Sequence, residues 1–214
     1  MKKIFLTLFL LLFTAIPTLA EKVMPDKTDL KNTRTIGVYQ VSNEIVLHKD
    51  YDENSDVIKT IKWNKNEILP ENLTFHDVFV VFIPNKSLAL MQVTDETEDW
   101  VEVIYNNTTG EKGWLKKDDP YKFATWTNFY NMYGKKYGLY ILKGAPECVK
   151  NMKSSPDKQS QTVDTMNLPS KINLNVIRGN WALVSILDMD KTSKTGYIKW
   201  RSDDGVKYLF PDIK

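Results

Sequence analysis

Covalent chemistry would need a nucleophile with a base beside it, and the sequence has few residues for these roles. Cys148 is the one cysteine, and His48 and His76 are the two histidines. A thiol nucleophile needs a histidine to take its proton and a setting, such as a helix N-terminus, that lowers its pKa. Cys148 lies in a turn-rich stretch, residues 144–150, so we interpret it as an unpaired thiol and the histidines as ordinary polar residues. We predict that the protein is not an enzyme and uses no cofactor.

Two acidic stretches carry the oxygen ligands that calcium prefers. They are residues 188–190 (Asp-Met-Asp) and 203–205 (Asp-Asp-Gly), and neither has the ligand spacing of an EF-hand loop. Aspartate is also favoured in turns between strands for its local hydrogen bonds. We therefore predict no metal site.

The first twenty residues have the pattern of a secretory signal. A basic start is followed by an apolar run and then by small residues up to Ala20. The alternative is a retained membrane anchor, but the apolar run is short for a span of about 20 residues. We predict cleavage after Ala20, export to the periplasm or the outside of the cell, and no stable membrane insertion afterwards.

Charge excludes one class of partner. Removing Lys2 and Lys3 from the 29 basic residues leaves 27, against 27 acidic residues. A formally neutral protein has no electrostatic footprint for a polyanion. We predict that it does not bind nucleic acid.

One pattern of alternating strand, polar loop and Gly-aromatic-aliphatic strand occurs twice. The first copy is residues 98–104 followed by 113–115, and the second is 180–186 followed by 196–198. Two copies of one supersecondary pattern indicate two domains of one type. The other short alternating segments are separated by turn formers, which is typical of strands. We predict an all-β fold.

The same patterns predict the order of the domains along the chain. Aromatic residues at helical spacing before Gly134 indicate a helix between the two β units. The predicted parts are a signal peptide at 1–20, a flexible leader at 21–34, a first barrel at 35–121 with an insertion at about 64–87, a helical linker at 122–136 and a second barrel at 137–214.

The order of elements in each unit resembles the bacterial SH3-like domain, a small β-barrel found in exported wall proteins. The similar stretches are 45–61, 100–103 and 113–115 in the first unit, and 138–150, 181–184 and 196–198 in the second. Neither unit has the Asn-Val-Arg-Ser-Gly-Pro loop common in the family. The resemblance implies two small SH3-like barrels joined by a short aromatic helix.

The resemblance also implies a shallow aromatic groove that binds an extended peptide, because flat rings stack on a stiff backbone with little loss of entropy. The candidate ligand-binding residues are Trp100 and Trp181, with Tyr51, Tyr121, Tyr140 and Trp200 along the sides. The alternative that these rings fill the barrels and the interface between them stays open. We expect an exported, non-catalytic binding protein. Its expected ligand is an extended peptide or a glycopeptide of the cell-wall peptidoglycan. The alternative is a scaffold subunit that docks an envelope protein.

Overall fold

The computed structural model describes residues 21–167, 171–187 and 192–214. Within them the chain forms two antiparallel sheets with short helical segments, which confirms the predicted all-β fold. The predicted signal peptide, residues 1–20, lies outside the described residues. In the described part of the chain, no helix is both long enough and apolar enough to span a membrane.

The first sheet contains nine strands. They are β1 (Gly37–Gln40), β2 (Glu44–His48), β3 (Val57–Trp63), β4 (Ile68–Leu69), β5 (Val81–Ile83), β6 (Leu88–Glu96), β7 (Trp100–Asn106), β8 (Glu111–Lys116) and β9 (Phe123–Thr125). Their order across the sheet is β4-β3-β2-β8-β7-β6-β1-β9, and β5 pairs with β6 beside this path.

The second sheet contains seven strands. They are β10 (Leu139–Ile141), β11 (Asn151–Lys153), β12 (Thr162–Thr165), β13 (Ile172–Arg178), β14 (Trp181–Leu187), β15 (Ser193–Lys199) and β16 (Leu209–Pro211). Their order is β12-β11-β15-β14-β13-β10-β16. This is the order of β3-β2-β8-β7-β6-β1-β9 in the first sheet, position by position. The first sheet adds β4, β5 and the short helix α1 (Phe75–Val78) between β3 and β6.

Alternating residues decide which face of each strand is buried, because successive side chains of a strand point to opposite faces. In β2, Ile45 and Leu47 are buried while the residues on either side of them are more exposed. In β14, Ala182, Val184 and Ile186 are buried in the same way. These positions form the inner faces of the two sheets.

The predicted barrels are not closed. In each described sheet the strand path runs from one edge to the other without returning to its start. In the first sheet, β9 pairs with the outer edge of β1, Gly37 opposite Thr125, and the chain then enters a helix. That edge of β1 is therefore occupied and cannot pair with β3 or β4 to close a barrel.

A short helical segment follows β9. It consists of α2 (Trp126–Phe129), a π-helical turn (Tyr130–Gly134) and α3 (Lys135–Tyr137). Thr125 caps its start by accepting a hydrogen bond from the Asn128 amide, and Gly138, at a φ of 85°, ends it. The helix was predicted over residues 122–136. It is observed over residues 126–137, and residues 123–125 form β9 instead.

One hydrophobic core joins the two sheets. Neighbouring residues of β1 are both buried: Val38 belongs to the shared core and Tyr39 to the first sheet's own core. The shared core takes residues from the first sheet, the helical segment and the second sheet; among them are Val38, Val81, Leu88, Leu90, Trp126, Phe129, Tyr130, Leu139, Leu174, Trp200 and Phe210. Since these side chains keep water from one another, each sheet stabilises the other. The predicted helical linker, residues 122–136, contributes Trp126, Phe129 and Tyr130 to this core.

Residues 21–34, which we call the N-terminal segment, were predicted to be a flexible leader. The segment is hydrogen-bonded to both sheets. Val23 and Phe82 exchange backbone hydrogen bonds of 2.9 and 3.0 Å at the edge of β5. The Thr28 amide donates to the Lys143 carbonyl oxygen at 2.9 Å, beside β10. The N-terminal segment therefore connects the two sheets through backbone hydrogen bonds.

Gly37 marks a close approach between β1 and β9. A Cβ atom on Gly37 would lie 2.2 Å from the carbonyl oxygen of Ala124 and 2.6 Å from the Phe123 ring. We expect Gly37→Ala to lower the free energy of unfolding by about 2 kcal/mol, because a backbone oxygen cannot move aside without disturbing the pairing of β1 with β9. Urea unfolding measures this loss.

Gly179→Ala is the matched control for Gly37→Ala. Gly179 has a φ of 59° and no atom within 4 Å of its Cβ position, so only the left-handed backbone costs free energy, about 1 kcal/mol. A Gly37 variant as stable as the Gly179 variant would contradict the close approach.

Candidate binding site

Two of the six predicted aromatic residues serve the core. Trp200 is fully buried: its ring centroid lies 4.4 Å from that of Tyr130, and its Nε1 donates to the Gly179 carbonyl oxygen at 2.9 Å. Tyr140 is half-buried, and its hydroxyl donates to the Pro25 carbonyl oxygen. Burial raises the pKa of the Tyr140 phenol. Trp200 thus anchors the helical segment, and Tyr140 anchors the N-terminal segment.

Two further predicted residues lie outside the cores, one at the start of a strand and one in a loop. Trp181 is half-buried at the start of β14, opposite Arg178 and Lys199 in the neighbouring strands. Tyr51 is 61% exposed in the loop after β2, with its ring edge-on to Trp114 at 5.2 Å. Neither lines the cleft that contains Tyr121.

Tyr121 lines a cleft, which we call the Tyr121 cleft, and Trp100 is buried next to it. It has an inner part of about 220 Å³ between β1, β2 and the end of β8, and an outer part of about 450 Å³ beside the turn after β8. Asp118 and Tyr121 line both parts, so the two parts adjoin at these residues. Trp100 is 7% exposed and lies behind His48, which lines the inner part, with the two rings edge-on at 5.4 Å.

The core fixes the turn that carries Tyr121. The ring of Tyr39 is buried, and its hydroxyl accepts a hydrogen bond from the Asp118 amide at 2.7 Å and lies 3.2 Å from the Asp118 carbonyl oxygen. The Tyr121 amide donates to that same carbonyl oxygen at 2.9 Å. Burial raises the pKa of the Tyr39 phenol, so the hydroxyl stays protonated. The position of Tyr121 is thereby set by a residue of β1.

Lys117 fixes the opposite side of the outer part. Its Nζ lies 2.7 Å from the Glu96 carboxylate, 2.6 Å from the Thr97 carbonyl oxygen and 3.1 Å from the Glu98 carbonyl oxygen. One ammonium therefore holds the turn between β6 and β7 against the end of β8. Hydrogen bonds thus fix the turns on both sides of the outer part of the cleft.

The outer part of the cleft is acidic. Four of its carboxylates make no ion pair within the described residues: Glu98, Asp99, Asp118 and Asp119. Lys117 is occupied by Glu96, and Lys122 is the remaining lysine that lines this part. Like charges gathered on one concave surface attract the opposite charge. The cleft therefore favours a ligand with a positive group.

Sequence reasoning missed the residues that build the cleft. Tyr39 and Asp118 both fall within the predicted first barrel, residues 35–121, and neither was a candidate binding residue. The available signal was the Asp-Asp-Pro-Tyr run at 118–121, which places two acids and a tyrosine directly after β8. The hydrogen bond between Tyr39 and Asp118 joins residues 79 positions apart, and a local sequence pattern cannot predict such a contact.

The nucleophile and base candidates have other neighbours. Cys148 is exposed, in a 3₁₀ turn at Glu147–Lys150. The His48 Nδ1 lies 3.1 Å from the Ser55 carbonyl oxygen, and His76 Nε2 lies 3.3 Å from the Glu21 carboxylate. Each histidine is thus engaged with a group other than the thiol.

The second acidic stretch is used for ion pairing. The Asp203 carboxylate accepts from Lys199 at 2.8 Å, from the Asn180 amide at 3.0 Å and from Lys158 at 3.3 Å. These hydrogen bonds, those from Lys199 and Asn180 most of all, lower its pKa to about 2. Residues 188–190 lie outside the described residues. Elsewhere in the described ranges, no group of three or more His, Cys, Asp or Glu could hold a metal ion.

A second concave region lies between the sheets and includes none of the six predicted residues. We call it the inter-sheet chamber. Its volume is about 490 Å³, and it is bounded by residues 23–31 of the N-terminal segment, by Phe79, Val80 and Gln92 of the first unit and by Leu142, Lys207 and Phe210 of the second.

Compared with known proteins, the chain matches no family model, no curated protein and no solved structure.

Proposed function

We propose that the protein is an exported, non-catalytic binding protein that holds an extended peptide in the Tyr121 cleft, such as the peptide of a cell-wall glycopeptide. The observation that carries the proposal is the cleft itself, in which the Tyr121 ring adjoins carboxylates that make no ion pair within residues 21–167, 171–187 and 192–214. Binding of this kind needs no nucleophile, cofactor or metal.

The shape of the cleft supports an extended ligand. Its two parts adjoin through Asp118 and Tyr121, so a chain that passes over the Tyr121 ring would reach both. A tyrosine ring offers a flat apolar face with only two side-chain torsions to immobilise, and its hydroxyl can reach a peptide group. The inner part takes apolar atoms against Val41 and Leu115, and the outer part takes a positive group.

The acidic outer part sets the charge of the ligand. A peptide with an amino group would place a cation among Asp99, Asp118 and Asp119, which have no ion-pair partner in the described chain. Such exposed pairs are each worth about 0.2–1 kcal/mol and weaken as salt is added. Binding should therefore weaken when ionic strength is raised.

The second candidate function is a scaffold subunit that docks an envelope protein. Exposed apolar residues on the loop and strand after β2 favour it, since Tyr51 is 61% exposed and Val57 is 56% exposed. This function predicts a protein partner that binds through the β2–β3 hairpin, with no dependence on wall material.

A pull-down on insoluble cell-wall sacculi tests the proposed function. We expect the purified protein to be retained and Tyr121→Ala to reduce its affinity roughly tenfold, because a central aromatic contact is worth about 1–2 kcal/mol. Tyr51→Ala is the matched control, with the same atoms removed from an exposed ring outside the cleft. We expect it to bind as the wild type does.

Three results would count against the proposed function. A wild-type protein that is not retained would rule out wall binding. Equal losses of affinity for Tyr121→Ala and Tyr51→Ala would show that the binding site is not the cleft. Loss only in Tyr51→Ala would favour docking through the β2–β3 hairpin.

A further inference from the structure

The inter-sheet chamber has apolar walls from three parts of the chain. Val23 and Pro25 come from the N-terminal segment, Phe79 from the first unit, and Leu142 and Phe210 from the second. Small-molecule sites in proteins are commonly cavities of about 300–1,000 Å³ lined mostly by such residues. At about 490 Å³ the chamber falls within this range.

Buried polar residues gather beside these apolar walls. Asn32, Thr35 and Gln92 are each less than a tenth exposed, and all three belong to one hydrogen-bond network. The Thr35 hydroxyl lies 3.3 Å from the Asn32 carbonyl oxygen and 3.4 Å from Gln92 Oε1. Gln92 Nε2 donates to Asn107 Oδ1 at 3.0 Å, and Asn32 Nδ2 donates to the Asn107 carbonyl oxygen at 2.9 Å. Gln92 and Asn107 both line the chamber.

Lys207 completes the polar side of the chamber. Its Nζ donates to the Thr35 hydroxyl at 3.1 Å and lies 4.1 Å from the centroid of the Trp126 ring. An ammonium has three donors, and Lys207 makes no ion pair and no second hydrogen bond within the described residues. Burial lowers the pKa of Lys207 to about 7. Below pH 7 the Lys207 side chain is thus a cation that lines the chamber and has donors to offer.

The acids that line the chamber are already engaged. The Asp29 carboxylate accepts from two backbone amides and from the Asn32 side chain, at 2.9 to 3.0 Å. The Asp26 carboxylate lies 3.6 Å from Lys143 Nζ. Neither forms an ion pair with Lys207 within the described residues.

We propose that the inter-sheet chamber binds a small carboxylate with an apolar body, with the carboxylate on Lys207 Nζ and the body against the apolar walls. A free monocarboxylic acid and the C-terminal apolar residue of a peptide both present this chemistry. The chamber is separate from the Tyr121 cleft, and this proposal does not depend on the peptide-binding function.

Calorimetric titration with two carboxylates and their amides tests the proposal. Hexanoate stands for a free acid and N-acetylleucine for a peptide C-terminus; hexanamide and N-acetylleucinamide are the uncharged counterparts. With the wild type we expect at least one carboxylate to bind on the order of tenfold more tightly than its amide, since a charge-assisted hydrogen bond is lost in the amide. Binding of hexanoate would identify a free acid as the ligand, and binding of N-acetylleucine would identify a peptide C-terminus.

Two lysine variants locate the carboxylate. Lys207→Met keeps the apolar stem, and we expect it to bind acid and amide equally. Lys27→Met removes an exposed lysine that also lines the chamber, and we expect it to keep the preference for the acid. The comparison of acid with amide on the wild type remains decisive should Lys207→Met fail to fold.

The proposal is overturned by any of three outcomes. They are no binding of either acid to the wild type, equal binding of acid and amide to the wild type, and the same loss in Lys27→Met as in Lys207→Met.

Discussion

Replacing Trp126 by alanine is expected to lower the free energy of unfolding by about 3–5 kcal/mol, the usual cost of removing a buried tryptophan. The side chain is 2% exposed and belongs to the core shared by both sheets. Its Nε1 donates to the Thr35 carbonyl oxygen at 3.0 Å, and its ring lies edge-on to Phe129 and Phe210 at 5.7 and 6.4 Å. The alanine variant loses these contacts and leaves a cavity between the sheets.

The loss of stability in Trp126→Ala should affect both sheets, because both pack on the same core. Urea unfolding gives the free energy, and hydrogen exchange of the amides in β7 and β14 shows where protection falls. Trp114→Ala is the matched control, since Trp114 is half-buried and outside both core clusters, and it should cost less than half as much. Protection that falls in one sheet only, or two separate unfolding transitions, would contradict the shared core.

The second large effect is a rise in stability with pH, by about 3 kcal/mol between pH 7 and about 9.5, through Lys207. Burial lowers the pKa of Lys207 from 10.5 to about 7, the nearby charge of Asp29 opposes this shift, and Arg201 adds to it. Between these values the unfolded chain holds a proton that the folded protein does not, so raising the pH favours folding. Below pH 7 the lysine is charged in both states and the full cost of burying it applies. Above 10.5 it is neutral in both states and the cost disappears.

Lys207→Met isolates this pH dependence. The free energy of unfolding of wild type and variant, measured in urea at both pH values, should differ most at pH 7, where the variant is the more stable protein. The upper pH stays below 10 because burial raises the pKa of Tyr130 and Tyr140, and those phenols lower stability at higher pH. The same pH dependence in both proteins would show that Lys207 is not buried as described.

Local patterns in the sequence predicted the elements better than their assembly. The alternation at 100–104 and 181–186 became β7 and β14, and the spacing of Trp126, Phe129 and Tyr130 became a helical segment. These predictions depend on neighbours within a few residues. Burial on both faces of β1 depends on which surface packs against it, and an alternating pattern does not encode that partner. The shared core and the open sheets therefore emerged only from the structure.

The candidate sites show the same limit more strongly. Tyr121 was predicted as a groove residue through the resemblance to the SH3-like domain, but its support from Tyr39 was not predicted. The inter-sheet chamber was missed altogether, because Thr35 and Lys207 meet across 172 residues. Each of these residues is unremarkable in its own stretch of sequence, and only the packing of the sheets gives it a role.

The most direct test of the proposed function is an NMR titration of the wild-type protein with soluble cell-wall glycopeptides. We expect the amide signals of His48, Asp118 and Tyr121 to shift with one common saturation curve, and the shifts to shrink when salt is added. Shifts confined to the β2–β3 hairpin or to the second sheet, or no shifts at all, would contradict it.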